Sequence, residues 1–247
     1  MSTRKVSRNQ ASLCRLANCN HCAPNHEIWN NLDTDEVTTL NLKKNCNVYQ
    51  PGQMIFYQGN PCMGLYCVEA GSIALRKTDI HGNAMVVRIS KEHEVLGYRS
   101  FFSQGPYTAS AEALTECRVC FIDKLSIQEM LADNPTLGYA FLERMAEDLR
   151  ISEESRLQLS TLSVRARLAH LLLIFKEHYG EMNEEGELMI DLPLSRQDLA
   201  SMLSIRIETL SRTIQALKKD KVAIFNRRRV TVPDIDALFD EIEDWTV

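Results

Sequence analysis

The chain has 247 residues, of which 45% are hydrophobic and 25% charged, and its formal net charge is −5. This is the composition of an ordinary globular protein with room for two domains; it excludes a disordered, collagenous or wholly coiled-coil chain. The longest apolar run, Leu171 to Phe175 between His170 and Lys176, is too short to cross a bilayer, so no membrane partner is expected.

Residues 1–27 are polar and hold three closely spaced cysteines, which reads as a loop-rich arm. Arg4, Lys5 and Arg8 are not followed by an apolar stretch, predicting no secretory signal and a cytoplasmic location. The eight cysteines stand at 14, 19, 22, 46, 62, 67, 117 and 120. Without an export signal, metal binding, redox sensing or plain burial is expected before disulfides. Asp33-Thr34-Asp35-Glu36 offers a cap and an acidic first turn for a short helix carrying Val37, Leu40 and Leu42.

From about 46 to 125 short β-type runs recur: Met54 to Tyr57, Leu65 to Val68, Ser72 to Leu75, Ala84 to Ile89 and Cys117 to Ile122. Turn signals separate them at Pro51-Gly52, Gly59-Asn60-Pro61, Ala70-Gly71 and His81-Gly82-Asn83, which predicts a small β-barrel or roll. Asp133-Asn134-Pro135 marks a helix start. Leu137, Phe141, Met145 and Leu149 follow at four-residue intervals, and the helix can run to about Ser160. Glu143, Arg144, Glu147, Asp148, Arg150, Glu153 and Glu154 are assigned to its charged face. A second copy of the chain is expected to cover the apolar stripe, with Ser152 continuing the contact; packing within the chain is the alternative.

Residues 160–232 hold 12 Lys/Arg against 9 Asp/Glu, a local excess in an acidic protein. Ser195 with Asp198 resembles a capping box, and Leu199, Met202 and Leu203 give the helix it opens an apolar face. A break at Ser204-Ile205 precedes a second helix that buries Leu210, Ile214 and Leu217. Two short helices joined by a tight turn form a helix-turn-helix, with Ser204 where a glycine is often found. Glu208, Ser211 and Arg212 share the opposite face. Arg grips guanine with two donors and Glu accepts from cytosine, so this face suits base reading in double-stranded DNA. By themselves these residues also suit a solvated Glu–Arg pair. Val222 to Phe225 and Arg229 to Val232 flank a basic turn, a hairpin or wing whose Arg227, Arg228 and Arg229 suit phosphate. Arg206, Ser195 and Arg196 complete the expected DNA-facing set. The alternative of another class, a ligand-binding module without DNA, leaves residues 193–232 unexplained. No Walker loop, dinucleotide fingerprint, GxSxG or HExxH is present, so no enzyme is expected.

Two stretches resemble the cyclic-AMP receptor protein/fumarate–nitrate reductase regulator (CRP/FNR) family. Pro51-Gly52-Gln53-Met54-Ile55-Phe56 through Gly59-Asn60-Pro61, Gly64-Leu65-Tyr66 and Gly71-Ser72-Ile73 is similar to its cyclic-nucleotide-binding β-roll; Leu194 to Arg212, with Glu-Thr-Leu-Ser-Arg at 208–212, is similar to its helix-turn-helix. The resemblance implies an α+β chain: a cysteine-rich arm (1–27), a β-roll sensor (28–131), a dimerisation helix (132–160) and a winged helix-turn-helix (161–247). It also implies a homodimer on a palindromic site and contact with RNA polymerase. Ile207 and Ser211 stand where the cyclic-AMP receptor type has Arg and Gly; this is similar to the FNR branch and implies a TTGAT-like half-site.

The sensor's signal is read from departures and matches. Gly97-Tyr98 and Tyr107-Thr108 replace the family's Gly-Glu and Arg-Ser/Thr phosphate segment, so no cyclic nucleotide is expected; Arg99 is the one nearby substitute. Cys14-x4-Cys19-x2-Cys22 brings three thiolates into one loop, a set that with a fourth can hold an iron–sulfur cluster or zinc. The segment Ala113 to Ile122 resembles the family strand that carries a distant fourth ligand, at Cys120. The resemblance thus implies a [4Fe–4S] oxygen or redox sensor on Cys14, Cys19, Cys22 and Cys120. Here the Cys-x2-Cys comes last rather than first, which leaves open Cys46, Cys62, Cys67 or Cys117 as the fourth ligand and His21 as a replacement. Other sensors in view are a thiol or zinc switch, haem or nitric oxide (with His81 or His93) and a small ligand. Cys46, Cys62, Cys67 and Cys117 are otherwise expected as ordinary buried or half-buried thiols.

Overall fold

A computed structural model describes residues 28–242, which divide into two compact units, one ending at Leu149 and the other beginning at Arg150. The predicted arm and its Cys14, Cys19, Cys22 and His21 lie outside the described residues.

The first unit opens with a 3-10 turn, Trp29–Asn31, and helix α1 (Thr34–Lys43). Asp33 caps α1 as its sequence predicts: its carboxylate accepts from the Asp35 and Glu36 N–H groups while Glu36 accepts from the Asp33 N–H. A cap of this kind is worth about 1 kcal/mol. Eight strands follow: β1 (Asn45–Tyr49), β2 (Met54–Phe56), β3 (Gly64–Ala70), β4 (Ile73–Thr78), β5 (Ala84–Ser90), β6 (Val95–Leu96), β7 (Ser110–Ala113) and β8 (Cys117–Asp123). They form two antiparallel sheets in the orders β1-β8-β3-β6 and β2-β7-β4-β5, the β-roll. Helix α2 (Tyr98–Phe102) sits between β6 and β7 in the chain, and α3 (Lys124–Asp133) follows β8.

The first sheet is covered on both faces, because alternate side chains of a strand point to opposite sides. From β3 and β8, Val68, Cys117 and Val119 join Phe56, Ile73, Ala111 and Ala113 inside the roll. Leu65, Cys67, Cys120 and Ile122 point the other way, into a second cluster with Trp29, Leu40, Ile127, Leu137 and Phe141. Gly71 makes the turn from β3 to β4 at φ +90, where a Cβ would stand 2.4 Å from the Glu116 carbonyl oxygen.

Helix α4 (Pro135–Thr161) starts at its proline, and its bounds agree with the sequence reading. Its apolar stripe does not. Leu137 and Phe141 are fully buried in the chain's own second cluster, and Met145 packs half-buried against it. Leu137 and Phe141 thus pack within the chain, the alternative the stripe also allowed, and Met145 lies at the margin of that cluster: the first turns of α4 lie where the β-roll itself covers an i, i+4 row. Leu149 is 61% exposed and Ser152 is exposed, as are Tyr139 and Leu142, which lie one step around the helix. Asp148, expected on the solvated face, is buried.

The second unit holds α5 (Val164–Tyr179), β9 (Gly180–Met182), β10 (Leu188–Asp191), α6 (Arg196–Met202), α7 (Ile207–Lys219), β11 (Ile224–Asn226), β12 (Arg229–Val232) and α8 (Ile235–Asp240). Its sheet runs β11-β12-β10-β9, and Leu168, Leu172, Ile190, Leu210, Leu217 and Val230 are fully buried. Among the described residues no helix is long and apolar enough to cross a membrane.

Candidate nucleic-acid interface and cysteine centre

Helix α6 is opened by Ser195, whose hydroxyl accepts from the Asp198 N–H at 3.1 Å and donates to the Asp198 carboxylate at 2.7 Å. Leu199, Ala200 and Leu203 bury its inner side. Ser204 then turns the chain at φ +54, a left-handed conformation that glycine adopts without a penalty. Helix α7 starts at once with Arg206 as its N-cap. Leu210, Ile214 and Leu217 are buried, which turns the rest of the helix outward. Glu208, Ser211 and Arg212 are all exposed, with Arg206, Ile207 and Gln215 beside them. The charged face is thus left uncovered within the unit.

The wing forms from β11 and β12, with Asn226 opposite Arg229 and a two-residue turn at Arg227-Arg228. Arg227 has φ +54, as hairpin turns of this length require of their first residue. Arg227 and Arg228 are exposed at the tip. Arg229 is not an unengaged tip cation: it grips Asp191 of β10 with two hydrogen bonds, at 2.8 and 3.0 Å. Asp191 lies directly opposite Arg229 in the β10–β12 register, a pairing visible only once the strands are aligned. Arg196 is half-buried, its guanidinium 5.7 Å from the centre of the Phe225 ring. Of the nine residues expected to face DNA, seven are thus exposed, and Ser195 and Arg196 also hold the local structure together.

In the first unit Cys120 is fully buried on β8 and bonded to Cys46 in a disulfide. The sequence reading makes Cys120 a cluster ligand and Cys46 an ordinary thiol or an alternative ligand, and does not foresee a bond between them. The cause is cross-strand register: Cys46 stands directly opposite Cys120 in the β1–β8 pair, within reach of a bond that spacing along the chain does not reveal. A Glu69 carboxylate oxygen lies 3.8 Å from the Cys120 sulfur, and the Arg118 guanidinium pairs with the same carboxylate at 2.7 Å. The Cys46 and Cys120 sulfurs and a Glu69 carboxylate oxygen lie within 4.8 Å of one another, and the sulfurs would become metal donors only on reduction of the disulfide. Cys67 faces Cys120 from the other side, on β3, and stays a thiol; burial pushes its pKa up to about 12. Cys117 is buried inside the roll, its thiol donating to the Ser72 carbonyl at 3.2 Å, and Cys62 is half-buried. His81 is exposed in the β4–β5 turn and His93 is half-buried.

Inside the roll Tyr107, in place of a phosphate-pairing Arg, stacks on Phe56 at 4.3 Å and donates its hydroxyl to the Gly64 carbonyl at 3.0 Å. Burial raises its phenol pKa, which keeps the group neutral. Arg99, the nearby substitute, is committed elsewhere: its Nη2 lies 2.7 Å from the Asp148 carboxylate.

Comparison with known proteins accords with this architecture. Residues 46–134 match the family model described as cyclic nucleotide-binding domain, and residues 166–240 match that described as Crp-like helix-turn-helix domain. The transcriptional activator protein FnrL of Cereibacter sphaeroides is 28% identical over 236 residues, 93% of this chain and 93% of that protein. The anaerobic regulatory protein of Bacillus subtilis is 27% identical over 191 residues, 76% of this chain and 80% of its own length. The structure of FixK2 from Bradyrhizobium japonicum shares the fold, with a TM-score of 0.68 at 22% identity over 80% of this chain and 96% of that one. A cyclic-nucleotide-binding β-roll, a long helix and a Crp-like helix-turn-helix in this order place the chain in the CRP/FNR family, as a DNA-binding transcription regulator and not an enzyme.

Proposed function

We propose that the protein is a redox-responsive regulator that binds a palindromic TTGAT-like site as a homodimer, contacts RNA polymerase there, and holds a [4Fe–4S] cluster on Cys14, Cys19, Cys22 and Cys120. One observation carries the sensor reading. Ile28 and Trp29, where the arm ends, are buried in the same cluster as Cys120. Cys22 is only six residues upstream of Ile28, a length of chain that spans at most about 20 Å when fully extended. Iron–sulfur clusters take thiolates, and Cys120, once its bond to Cys46 is reduced, would offer one from a fixed strand. The names of the two relatives, a transcriptional activator and an anaerobic regulator, point the same way. The stacked Phe56, Tyr66 and Tyr107 argue against a cyclic nucleotide in the roll.

A bound cluster supplies oxygen-labile iron–thiolate bonds. The chain's own part is to pass their presence to helix α4. Trp29 meets Phe141 edge-on, with ring centres 5.9 Å apart. Phe141 belongs to the helix whose neighbouring face exposes Tyr139, Leu142 and Leu149. Those three residues, with Ala146 between them, recur at the spacing of a helix–helix seam and form the face a second copy would cover. Tying the arm to Cys120 fixes Trp29, and Trp29 sets the position of α4 through Phe141. A bias of a few kcal/mol is enough to move such a two-state equilibrium.

The test is anaerobic purification with absorption spectroscopy, iron and sulfide assay, and DNA binding before and after air. Colour, iron and specific binding that fade together in air are the expected result; colourless, iron-free anaerobic protein that binds DNA equally well in air overturns the cluster. A second reading, a plain thiol switch, is favoured by the Cys46–Cys120 disulfide.

A further inference from the structure

We propose that Cys46 is a resolving cysteine that captures Cys120 in a disulfide and so excludes the iron–sulfur cluster from the oxidised protein. The inference rests on the iron–sulfur reading above and adds a regulation of the same site. Cys120 has one sulfur and cannot both ligate iron as a thiolate and close a disulfide. Cys46 and Cys120 stand in register on neighbouring strands, which brings the two sulfurs within reach of a bond. Cys67 is also in register with Cys120, yet it remains a thiol, 3% exposed on an inner strand. Cys46 differs from it in access: it is only half-buried, on β1 at the edge of the sheet. Among the described residues a reagent from solution therefore meets Cys46 before Cys120, which is fully buried.

The oxidant is a low-molecular-weight disulfide. The Cys46 thiolate attacks one of its sulfurs and expels the first small thiolate, which takes up the proton Cys46 gave up. Cys120, as a thiolate, then attacks the Cys46 sulfur of the mixed disulfide and expels the second small thiolate, which is protonated in turn. Two protein thiols are oxidised, one small disulfide is reduced to two thiols, and a small dithiol reverses both steps. A chain that loses its cluster is thereby parked with Cys120 protected from irreversible over-oxidation.

Full-length protein, reduced and iron-free, is treated with oxidised glutathione, alkylated and mapped by mass spectrometry without reduction. In parallel it is incubated anaerobically with ferrous iron and sulfide, with and without the oxidant. The wild type is expected to give a Cys46–Cys120 linked peptide, and its iron uptake is lost after oxidation and restored by dithiothreitol. Cys46→Ser and Cys46→Ala, both at a half-buried edge position, keep iron uptake after the same oxidant. A chain in which Cys120 stays alkylatable, or pairs elsewhere, overturns the proposal. So does a Cys46–Cys120 disulfide that leaves iron uptake unchanged. Reduced wild type that takes up no iron and sulfide at all overturns the iron–sulfur reading itself, a result distinct from either.

Discussion

The phenol of Tyr98 on α2 donates to the carboxylate of Asp148 on α4, joining the β-roll to its long helix through a buried charge. Arg88, Arg99 and Arg144 converge on the same carboxylate, at 3.2, 2.7 and 3.3 Å, and Arg88 also pairs with Glu94. Burial alone would raise the Asp148 pKa. The Tyr98 hydrogen bond and the Arg88 and Arg99 guanidiniums outweigh it and hold the carboxyl below its ordinary value. Removing one partner of a buried pair leaves the others uncompensated, so Asp148→Ala should cost on the order of 3–5 kcal/mol in chemical denaturation. Tyr98→Phe should cost about 1–2 kcal/mol. Because the folded pKa is depressed, the contribution of Asp148 is complete above the unfolded aspartate value and fades as pH falls through the folded one. Stability measured below about pH 4 should therefore fall less steeply in Asp148→Asn than in the wild type.

Ser204 carries a left-handed backbone in the turn between α6 and α7, and it is exposed. A side chain in that conformation costs about 1 kcal/mol, which glycine avoids at the expense of a more flexible unfolded chain. Ser204→Gly should be neutral to stabilising, by up to about 1 kcal/mol, and Ser204→Val clearly destabilising, in thermal unfolding. If Val were tolerated as well as Gly, the turn would not impose the conformation.

Much of this molecule is legible in its sequence because its signals are local. Asp33 and Ser195 announce their helices through caps four residues long, and Pro135 opens α4 where a proline belongs. The face of Glu208, Ser211 and Arg212 follows from the spacing of Leu210, Ile214 and Leu217. What stayed hidden depends on which strand lies beside which. The Cys46–Cys120 bond and the Arg229–Asp191 pair are register neighbours 74 and 38 residues apart in the chain. The short strands β1, β6 and β7 lack a long apolar run and escaped for the same reason. The division of the α4 stripe was hidden because periodicity gives a helix its apolar side without saying what covers it. Leu137 and Phe141 meet the β-roll, while Leu149, from the same row, remains open.

That division separates two kinds of variant. Phe141 is fully buried against Trp29 and Phe102, so Phe141→Ala should destabilise the chain by about 3–5 kcal/mol at any protein concentration. Leu149 is exposed, as is Leu142, which lines an apolar groove with Phe102, Pro135, Gly138 and Tyr139. Leu142→Glu with Leu149→Glu should leave the folded monomer intact by circular dichroism and weaken self-association in sedimentation equilibrium. A double variant that associates as tightly as the wild type would remove this face from the dimer.

The exposed cations divide in the same way on DNA. Arg212 lies on the outer face of α7 beside Glu208 and Ser211; if it grips a guanine edge, Arg212→Ala should cost about 1–3 kcal/mol on the specific site and little on random sequence. Arg227 and Arg228 stand at the wing tip with no base-reading geometry around them, so each Ala variant should weaken all sequences alike and lower the salt slope by about 1. Arg229 starts from a bidentate bond to Asp191 through Nε and Nη2, and the carboxylate beside it offsets its charge toward phosphate. Arg229→Ala should therefore lower the salt slope less than Arg228→Ala, whereas Asp191→Asn, by releasing the guanidinium, should strengthen binding at low salt. Titrations over a range of salt concentrations with specific and random duplexes separate these outcomes; equal slopes for the Arg228 and Arg229 variants would mean that the Asp191 pair opens on contact with DNA.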